Sequence, residues 1–225
     1  MPSDVSGRDC GDGGAAPVKP RLRGVSHEVA AVVFPALGLL LVLVAPARSR
    51  MPVAIYTAGV TAMYATSACY HRGRWSISAK QRMRRLDHSM ILIGIAATYT
   101  PIAAIGLDRS TARALLVAVW GLAAAGIVIR NVWFGAPRWV VPAVYIGVGW
   151  TALAVTPALW SQLGGVTLAL LLVGGLVYSL GALVYGQRRP DPVPAVFGYH
   201  EVFHALVLLA GLIFYAAVVR VAITA

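Results

Sequence analysis

WVVPAVYIGVGWTALAVTPALWSQLGGVTLALLLVGGLVYSLGALVYGQ, residues 139–187, decides the fold, because this stretch contains no Asp, Glu, Lys or Arg. A transmembrane helix needs about 20 consecutive apolar residues, so the stretch is too long for a single crossing. Its middle, TPALWSQLGG at residues 156–165, contains the proline, polar and glycine residues that are typical of a break. We therefore predict two membrane-spanning helices here, over residues 139–157 and 163–186.

Long uncharged runs recur along the rest of the chain. Of its residues, 59% are hydrophobic and 12% are charged, and the mean hydropathy is +0.75, which excludes a water-soluble globular domain. Helices satisfy their own backbone hydrogen bonds inside a membrane, so we predict an all-α integral membrane protein with a seven-helix transmembrane domain over residues 25–225. The predicted helices cover about residues 28–47, 51–71, 86–107, 112–130, 139–157, 163–186 and 197–221.

The Lys and Arg residues are unevenly distributed between the predicted loops. Of the 19 such residues, fourteen fall in the N-terminal stretch and in the loops after helices two, four and six, and five fall on the other side. Because positively charged loops stay in the cytoplasm, we predict a cytoplasmic N-terminus, an outside C-terminus and a multi-pass location in the bacterial cell membrane. The net charge of +11 is explained by this topology, so no nucleic-acid partner is predicted.

Two polar stretches lie outside the predicted spans. Residues 1–24 are rich in Gly, Pro and Asp and lack apolar periodicity, which predicts a disordered cytoplasmic tail. The basic stretch at residues 72–85 is predicted to contact anionic headgroups. Membrane lipids are therefore the expected partners.

Ionisable residues within the predicted spans indicate a functional site, because such residues are costly in a membrane. The predicted topology brings His71, Asp87 and the start of the seventh helix to one membrane level. There, His200 and His204 are four residues apart and share a helix face. Three imidazoles with an open fourth position are typical of a catalytic zinc site, so we predict His71, His200 and His204 as zinc ligands and Asp87 as the base.

Four further polar residues lie at the ends of the predicted spans: Ser67, His88, His27 and Glu28. Ser67 shares a helix face with His71, and we predict that it stabilises an oxyanion or holds a ligand. His88 points about 100° away from the preceding aspartate around the helix, so it is interpreted as a supporting or loop contact. His27 and Glu28 begin the first helix, where an ordinary solvated helix start explains them.

Residues 200–204 read HEVFH, and HExxH is the signature of zinc metalloproteases in which the glutamate is the general base. Such an enzyme needs a third ligand, and no Asp, Glu or His follows His204. Upstream, the best-placed ligand is His71, which is accompanied by Asp87. We therefore favour Asp87 as the base, and Glu201 stays open as the alternative.

Three segments resemble the signature motifs of the hemolysin III family. They are TSACYHRGRW (66–75), RRLDHSMILIGIAATYTP (84–101) and FGYHEVFHALVLLAG (197–211). Further matches in WFGAPRW (133–139) and RRPDP (188–192) extend the similarity over nearly the whole chain beyond the tail. This family is the bacterial branch of the progestin and adipoQ receptor family, within a wider set of membrane hydrolases that includes alkaline ceramidases.

The resemblance implies a seven-helix bundle with its N-terminus inside. It also implies zinc bound by His71, His200 and His204, with Asp87 at the metal-activated water and Ser67 nearby. It carries no site residue onto helix one, where relatives often have an Asn and a His and this chain reads GVSHEVAAVV.

The function implied by the resemblance is a zinc-dependent hydrolase of a lipid amide or ester, involved in membrane-lipid homeostasis. Two alternatives stay open at this point. One is a non-catalytic membrane receptor or regulator with structural zinc, and the other is a cytolytic hemolysin.

Overall fold

The computed structural model describes residues 19–133, 137 and 139–224, and these residues are almost entirely helical. The described part of the chain has seven α-helices and one short 3₁₀-helix. It contains a single β-bridge, between Val193 and Phe197, and no longer strand. The helices are α1 Val25–Val44, α2 Ala47–Arg72, α3 Ile77–Gly106, α4 Arg109–Val132, α5 Val140–Gly149, the 3₁₀-helix Thr151–Val155, α6 Thr156–Gln187 and α7 Tyr199–Thr224.

Five helical segments of the described residues are long and apolar enough to cross a membrane. Their outward faces are apolar too, since Val32, Leu43 and Val117 expose 73%, 64% and 68% of their surface. Such faces suit lipid and not water, so the predicted all-α membrane class is confirmed. The five segments are Val25–Val44, Ile77–Gly106, Arg109–Val132, Val140–Gln187 and Tyr199–Thr224.

The predicted count of seven spans and the predicted sides of the termini stay predictions. The segment Val140–Gln187 has 48 residues, which exceeds one crossing of a core about 30 Å thick. Helix α2 has 26 residues, enough to span by length. It is not one of the five, because the stretch between Arg50 and Arg72 contains several Thr, Tyr and Ser residues that lower its hydropathy.

The predicted fifth helix, residues 139–157, is not continuous. Helix α5 ends at Gly149, the 3₁₀-helix follows, and Gly164 with a φ of 75° breaks α6 near its start. The Tyr99 hydroxyl donates a hydrogen bond to the Gly149 carbonyl at 2.6 Å and accepts one from the Ala152 N–H at 3.0 Å. Backbone groups that leave a helix inside a membrane need such partners. Hydropathy does not reveal this break, because the residues on both sides of it are similarly apolar.

Helix α3 begins at Ile77, whereas hydropathy predicts a start near residue 86. Ser76 caps this earlier start, because its hydroxyl accepts a hydrogen bond from the Ala79 N–H. The basic residues between 80 and 85 therefore lie on the first turns of α3, and the loop after α2 is shorter than predicted.

Small residues allow α1, α2 and α3 to pack closely. A Cβ at Gly59 of α2 would lie 2.4 Å from the Cβ of Ala97 on α3, and a Cβ at Gly38 of α1 would lie 2.2 Å from Thr57 Cγ2 on α2. Such glycines are typical of close helix contacts in membranes. The packing brings together the start of α1, the end of α2, residues 87–89 of α3 and the start of α7, which we call the histidine end of the bundle.

The predicted tail, residues 1–24, lies mostly outside the described residues. Residues 20–24, which we call the N-terminal strap, form turns that lead into α1. The backbone N–H groups of Arg21 and Leu22 donate hydrogen bonds, each 3.1 Å long, to carbonyl groups in the loop before α7. The strap therefore lies against the histidine end.

Candidate metal centre and cavity

Three imidazole rings meet at the histidine end. One nitrogen from each of His71, His200 and His204 lies within 4.8 Å of the others. The Nε2 atoms of His71 and His200 are 3.1 Å apart, and the ring centroids of His71 and His204 are 4.9 Å apart. His71 and His204 are buried and His200 is half-buried. The structure thus brings the three predicted zinc ligands together from α2 and α7.

The separation of two of these nitrogens matches that of two ligands on one metal ion. In a tetrahedral zinc site with Zn–N bonds of about 2.0–2.1 Å, two ligand nitrogens lie about 3.3 Å apart. The separation between His71 and His200, 3.1 Å, is close to this value. In addition, Nδ1 of His204 is buried and has no hydrogen-bond partner among the described residues. A buried imidazole nitrogen without a partner is unusual unless its ring binds an ion or water.

Ser67 and Asp87 lie beside the three histidines. Ser67 is 4% exposed and Asp87 is 8% exposed. The Ser67 hydroxyl makes a hydrogen bond to His27 Nδ1, at 2.8 Å. Both residues line one cavity together with His200 and His204. A buried carboxylate and a hydroxyl therefore face the space next to the imidazoles.

His27 is a fourth histidine in this cluster, so the prediction of a solvated helix start is wrong for it. Its side chain is 3% exposed, and its ring stacks on that of His204 with centroids 3.9 Å apart. The next residue, Glu28, fits the prediction, because it is exposed and pairs with Arg72 Nε at 2.9 Å.

The spacing of the buried residues in α1 predicts that His27 is buried as well. The buried residues of α1 recur at intervals of three or four, which is the spacing of one helix face. His27 continues this buried face by one turn toward the N-terminus, whereas Glu28 lies off it. The buried set is His27, Ala30, Phe34, Gly38 and Leu41.

Glu201 is engaged away from the imidazole nitrogens. One of its carboxylate oxygens pairs with Arg23 Nε of the strap. The other accepts a hydrogen bond from the Gly198 N–H at 2.9 Å, as in the capping box of a helix start. With both oxygens occupied and only 2% of the residue exposed, Glu201 anchors the strap. This geometry supports Asp87 as the base.

The strap passes directly over His71. Gly24 has a φ of 81°, and a Cβ at this position would lie 2.6 Å from His71 Cβ. Only glycine combines this backbone conformation with so close an approach. The strap and its Arg23–Glu201 ion pair therefore cover the histidines from the end of the bundle.

An apolar cavity leads from the histidines into the bundle. It has a volume of about 130 Å³ and is lined mainly by α3, α5, α6 and α7. Asp87 and His200 lie at one end, and Ile102 and Leu159 lie deep in the bundle. From Asp87 to Ile102, α3 advances about 22 Å, roughly three-quarters of a hydrocarbon core that is about 30 Å thick. The cavity is therefore elongated along α3, and its wall is mostly apolar.

His88 also lines this cavity and is held by α4 and α5. Its Nδ1 lies 3.2 Å from Arg130 Nε and 3.0 Å from Arg130 Nη2. The Tyr145 hydroxyl donates a hydrogen bond to the His88 carbonyl at 2.9 Å. His88 is not one of the three histidines whose nitrogens converge.

Comparisons with known proteins agree with the sequence motifs. A family model described as "Haemolysin-III related" matches residues 16–215. The chain is 30% identical over 193 residues to the "Hemolysin-3 homolog" of Bacillus subtilis (strain 168), which covers 82% of this chain and 85% of that protein. It is 28% identical over 191 residues to "Hemolysin-3" of Bacillus cereus, which covers 82% of this chain and 83% of that protein. No solved structure matches the chain.

Proposed function

The chain belongs to the haemolysin III family, and on this premise we propose that it is a zinc-dependent hydrolase that cleaves an amide or ester bond of a membrane lipid. The observation that carries the proposal is the convergence of three imidazoles at one end of an apolar cavity, beside a buried carboxylate. In the cell membrane of a bacterium, such an activity would contribute to membrane-lipid homeostasis.

In this proposal, His71, His200 and His204 hold the zinc ion. When bound, zinc supplies a Lewis acid that polarises a carbonyl group and makes water a nucleophile near neutral pH. Three protein ligands with an open position are typical of catalytic zinc sites, whereas structural sites have four protein ligands. The ligand number therefore favours an enzyme over a regulator with structural zinc.

Asp87 and Ser67 carry the proton transfer and the charge stabilisation. Asp87 takes a proton from the attacking water and returns it to the leaving nitrogen or oxygen when the amide or ester bond breaks. The Ser67 hydroxyl donates a hydrogen bond to the carbonyl oxygen as negative charge develops on it. His27 Nδ1, at 2.8 Å from Ser67 Oγ, donates its proton to this oxygen and so leaves the single hydroxyl proton free for the carbonyl oxygen. The cavity binds the acyl chain of the lipid and excludes bulk water from the reacting bond.

The proposal is tested by zinc analysis and lipid turnover of the purified full-length protein. Products released from a panel of lipid amides and esters are identified by mass spectrometry. For Asp87→Asn we expect unchanged zinc content and a loss of turnover of at least about 100-fold, because the base is removed. Asp108→Asn is the matched control, since Asp108 is an exposed cap at the other end of the bundle. Full turnover in Asp87→Asn would overturn the assignment of the base.

Further measurements distinguish the hydrolase from a regulator and from a cytolytic protein. Zinc binding without turnover, together with full rescue of a deletion phenotype by Asp87→Asn, would indicate a regulator. The names of the two relatives suggest lysis, which would appear as dye leakage from liposomes at physiological protein densities. The hydrolase proposal predicts intact liposomes and released lipid products.

A further inference from the structure

A second polar site, formed by His88 and Arg130, lies in the cavity wall. A guanidinium group has only N–H donors, so Arg130 donates both hydrogen bonds to His88 Nδ1, at 3.2 and 3.0 Å. Nδ1 therefore carries no proton. The ring of His88 is neutral, and its single N–H is at Nε2.

Arg130 holds the His88 ring, and the neighbouring helices hold the backbone that carries it. The backbone of α3 is held at this level by Tyr145, which donates to the His88 carbonyl at 2.9 Å. It is also held by Asn131, which donates to Ser89 Oγ at 3.2 Å. A donor that is fixed before a ligand arrives binds with a smaller entropic penalty. His88 is thus a preorganised donor in the wall of the cavity.

Arg130 adds positive charge to this wall, and Asp87 is the carboxylate that lines the same cavity. Among the described residues, the ion pairs Arg23–Glu201 and Arg72–Glu28 do not include Arg130, and no ion pair joins Arg130 to Asp87. A cationic donor at Nδ1 polarises the imidazole and strengthens its Nε2–H as a donor, most of all in a low-dielectric interior. The pair therefore favours an anionic acceptor over a neutral one.

Tyr185 connects this pair to the metal centre. Its ring makes edge-on contacts with the rings of both His88 and His200, with centroid distances of 6.3 Å and 5.7 Å. All three rings line the same cavity. A ligand group beside Tyr185 is therefore within reach of both His88 and the imidazole cluster, about one aromatic ring away from each.

We propose that His88, oriented and polarised by Arg130, binds the anionic headgroup of a lipid whose acyl chain occupies the cavity, and so selects anionic lipids over neutral ones. The headgroup chemistry is a phosphate or a carboxylate, which accepts the Nε2–H. This inference rests on the proposed function only for the presence of a lipid in the cavity. It requires neither zinc nor hydrolysis.

The test compares two lipids that share a chain and contain no amide or carboxylic ester bond, so that turnover does not interfere. Binding of oleyl phosphate and of oleyl alcohol to the purified full-length protein is measured by native mass spectrometry. For the wild type we expect oleyl phosphate to bind about 10-fold more tightly or better, as expected for a hydrogen bond to a charged group. For Arg130→Gln and His88→Phe we expect this ratio to fall below about 3-fold, with binding of the alcohol unchanged.

Three controls make the result decisive. Arg113→Gln removes an arginine from the opposite end of α4 and is expected to leave the ratio unchanged. His88→Gln keeps an N–H near the position of Nε2 and is expected to retain most of the preference. All measurements are repeated after zinc is removed with a chelator. If the phosphate group bound the zinc ion itself, the protein would lose its preference for oleyl phosphate in that sample.

Several outcomes would overturn the proposal. These are equal binding of the two lipids by the wild type, an unchanged ratio in both Arg130→Gln and His88→Phe, or a preference that exists only with zinc bound. If millimolar inorganic phosphate prevented the binding of oleyl phosphate, the site would be one for soluble phosphate, and this result would overturn the assignment to a lipid. A protein that binds oleyl phosphate through His88 but hydrolyses nothing would support this inference and refute the proposed function.

Discussion

The ring of His27 lies flat against the ring of His204, with centroids 3.9 Å apart and planes inclined by 5°. Its Nδ1 is also 2.8 Å from Ser67 Oγ. One side chain of α1 therefore contacts both a proposed zinc ligand and the proposed oxyanion donor. His27 is not one of the converging nitrogens, so we interpret it as a positioning residue.

Substitutions of His27 separate its two contacts. His27→Phe keeps a flat ring against His204 and removes the hydrogen bond to Ser67, whereas His27→Asn keeps a side-chain N–H near Nδ1. For His27→Phe we expect normal zinc content, an unchanged KM and a kcat lowered on the order of 10-fold, as for other residues that orient a metal site. For His27→Asn we expect a partial recovery of kcat. Steady-state kinetics and metal analysis measure both effects.

Phe34→Leu serves as the control for this series, because Phe34 lies on the same buried face of α1, about two turns away from His27 and the cluster. We expect it to lower stability and to leave kcat unchanged. If His27→Phe and His27→Asn lower kcat equally, and both lose zinc, then His27 only supports the fold.

Glu201 gives a second prediction, because its carboxylate holds the N-terminal strap. For Glu201→Gln we expect zinc binding and turnover close to wild type, together with a loss of stability of about 1–3 kcal/mol from the weakened bond to Arg23. The double variant with Arg23→Gln is expected to be less destabilised than the sum of the two single variants. Thermal unfolding in detergent measures the stabilities. An inactive Glu201→Gln with normal zinc content and normal stability would make Glu201 the base, as in a metalloprotease.

The break between α5 and α6 gives a third prediction. Tyr99→Phe removes the hydroxyl that satisfies the backbone of Gly149 and Ala152, and we expect it to lower stability by about 1–3 kcal/mol. Tyr56→Phe is the matched control, because the Tyr56 hydroxyl is buried without a partner among the described residues. Removal of an unsatisfied hydroxyl is expected to be neutral or stabilising. Unfolding titrations in mixed micelles measure both variants, and equal losses would contradict this role of Tyr99.

Composition and local spacing are enough to predict that this chain lies in a membrane and that three histidines form its candidate site. The uncharged run 139–187 predicts membrane helices, because lipid restricts which residues an exposed face can carry. His200 and His204 share a face because the helical period is a local property. The charge distribution then places His71 at the same level, so the predicted ligand set depends on no long-range contact.

Other features arise from contacts between residues far apart in the chain, and no period in the sequence encodes them. The Arg23–Glu201 pair joins positions 178 residues apart, and the break after Gly149 depends on a tyrosine of α3. His27 is overlooked for a related reason. Its neighbour Glu28 and the basic strap give this stretch the composition of a solvated helix start, although the apolar face of α1 runs through His27.

Metal analysis with X-ray absorption at the zinc edge tests the central claim most directly. For the purified full-length chain we expect about one zinc ion per molecule, with three imidazole nitrogens at about 2.0–2.1 Å. His71→Ala, His200→Ala and His204→Ala are each expected to lose the ion, whereas His88→Phe is expected to keep it. A wild-type protein without stoichiometric zinc, or a His71→Ala variant that binds as much zinc as the wild type, would contradict a zinc site built from His71, His200 and His204.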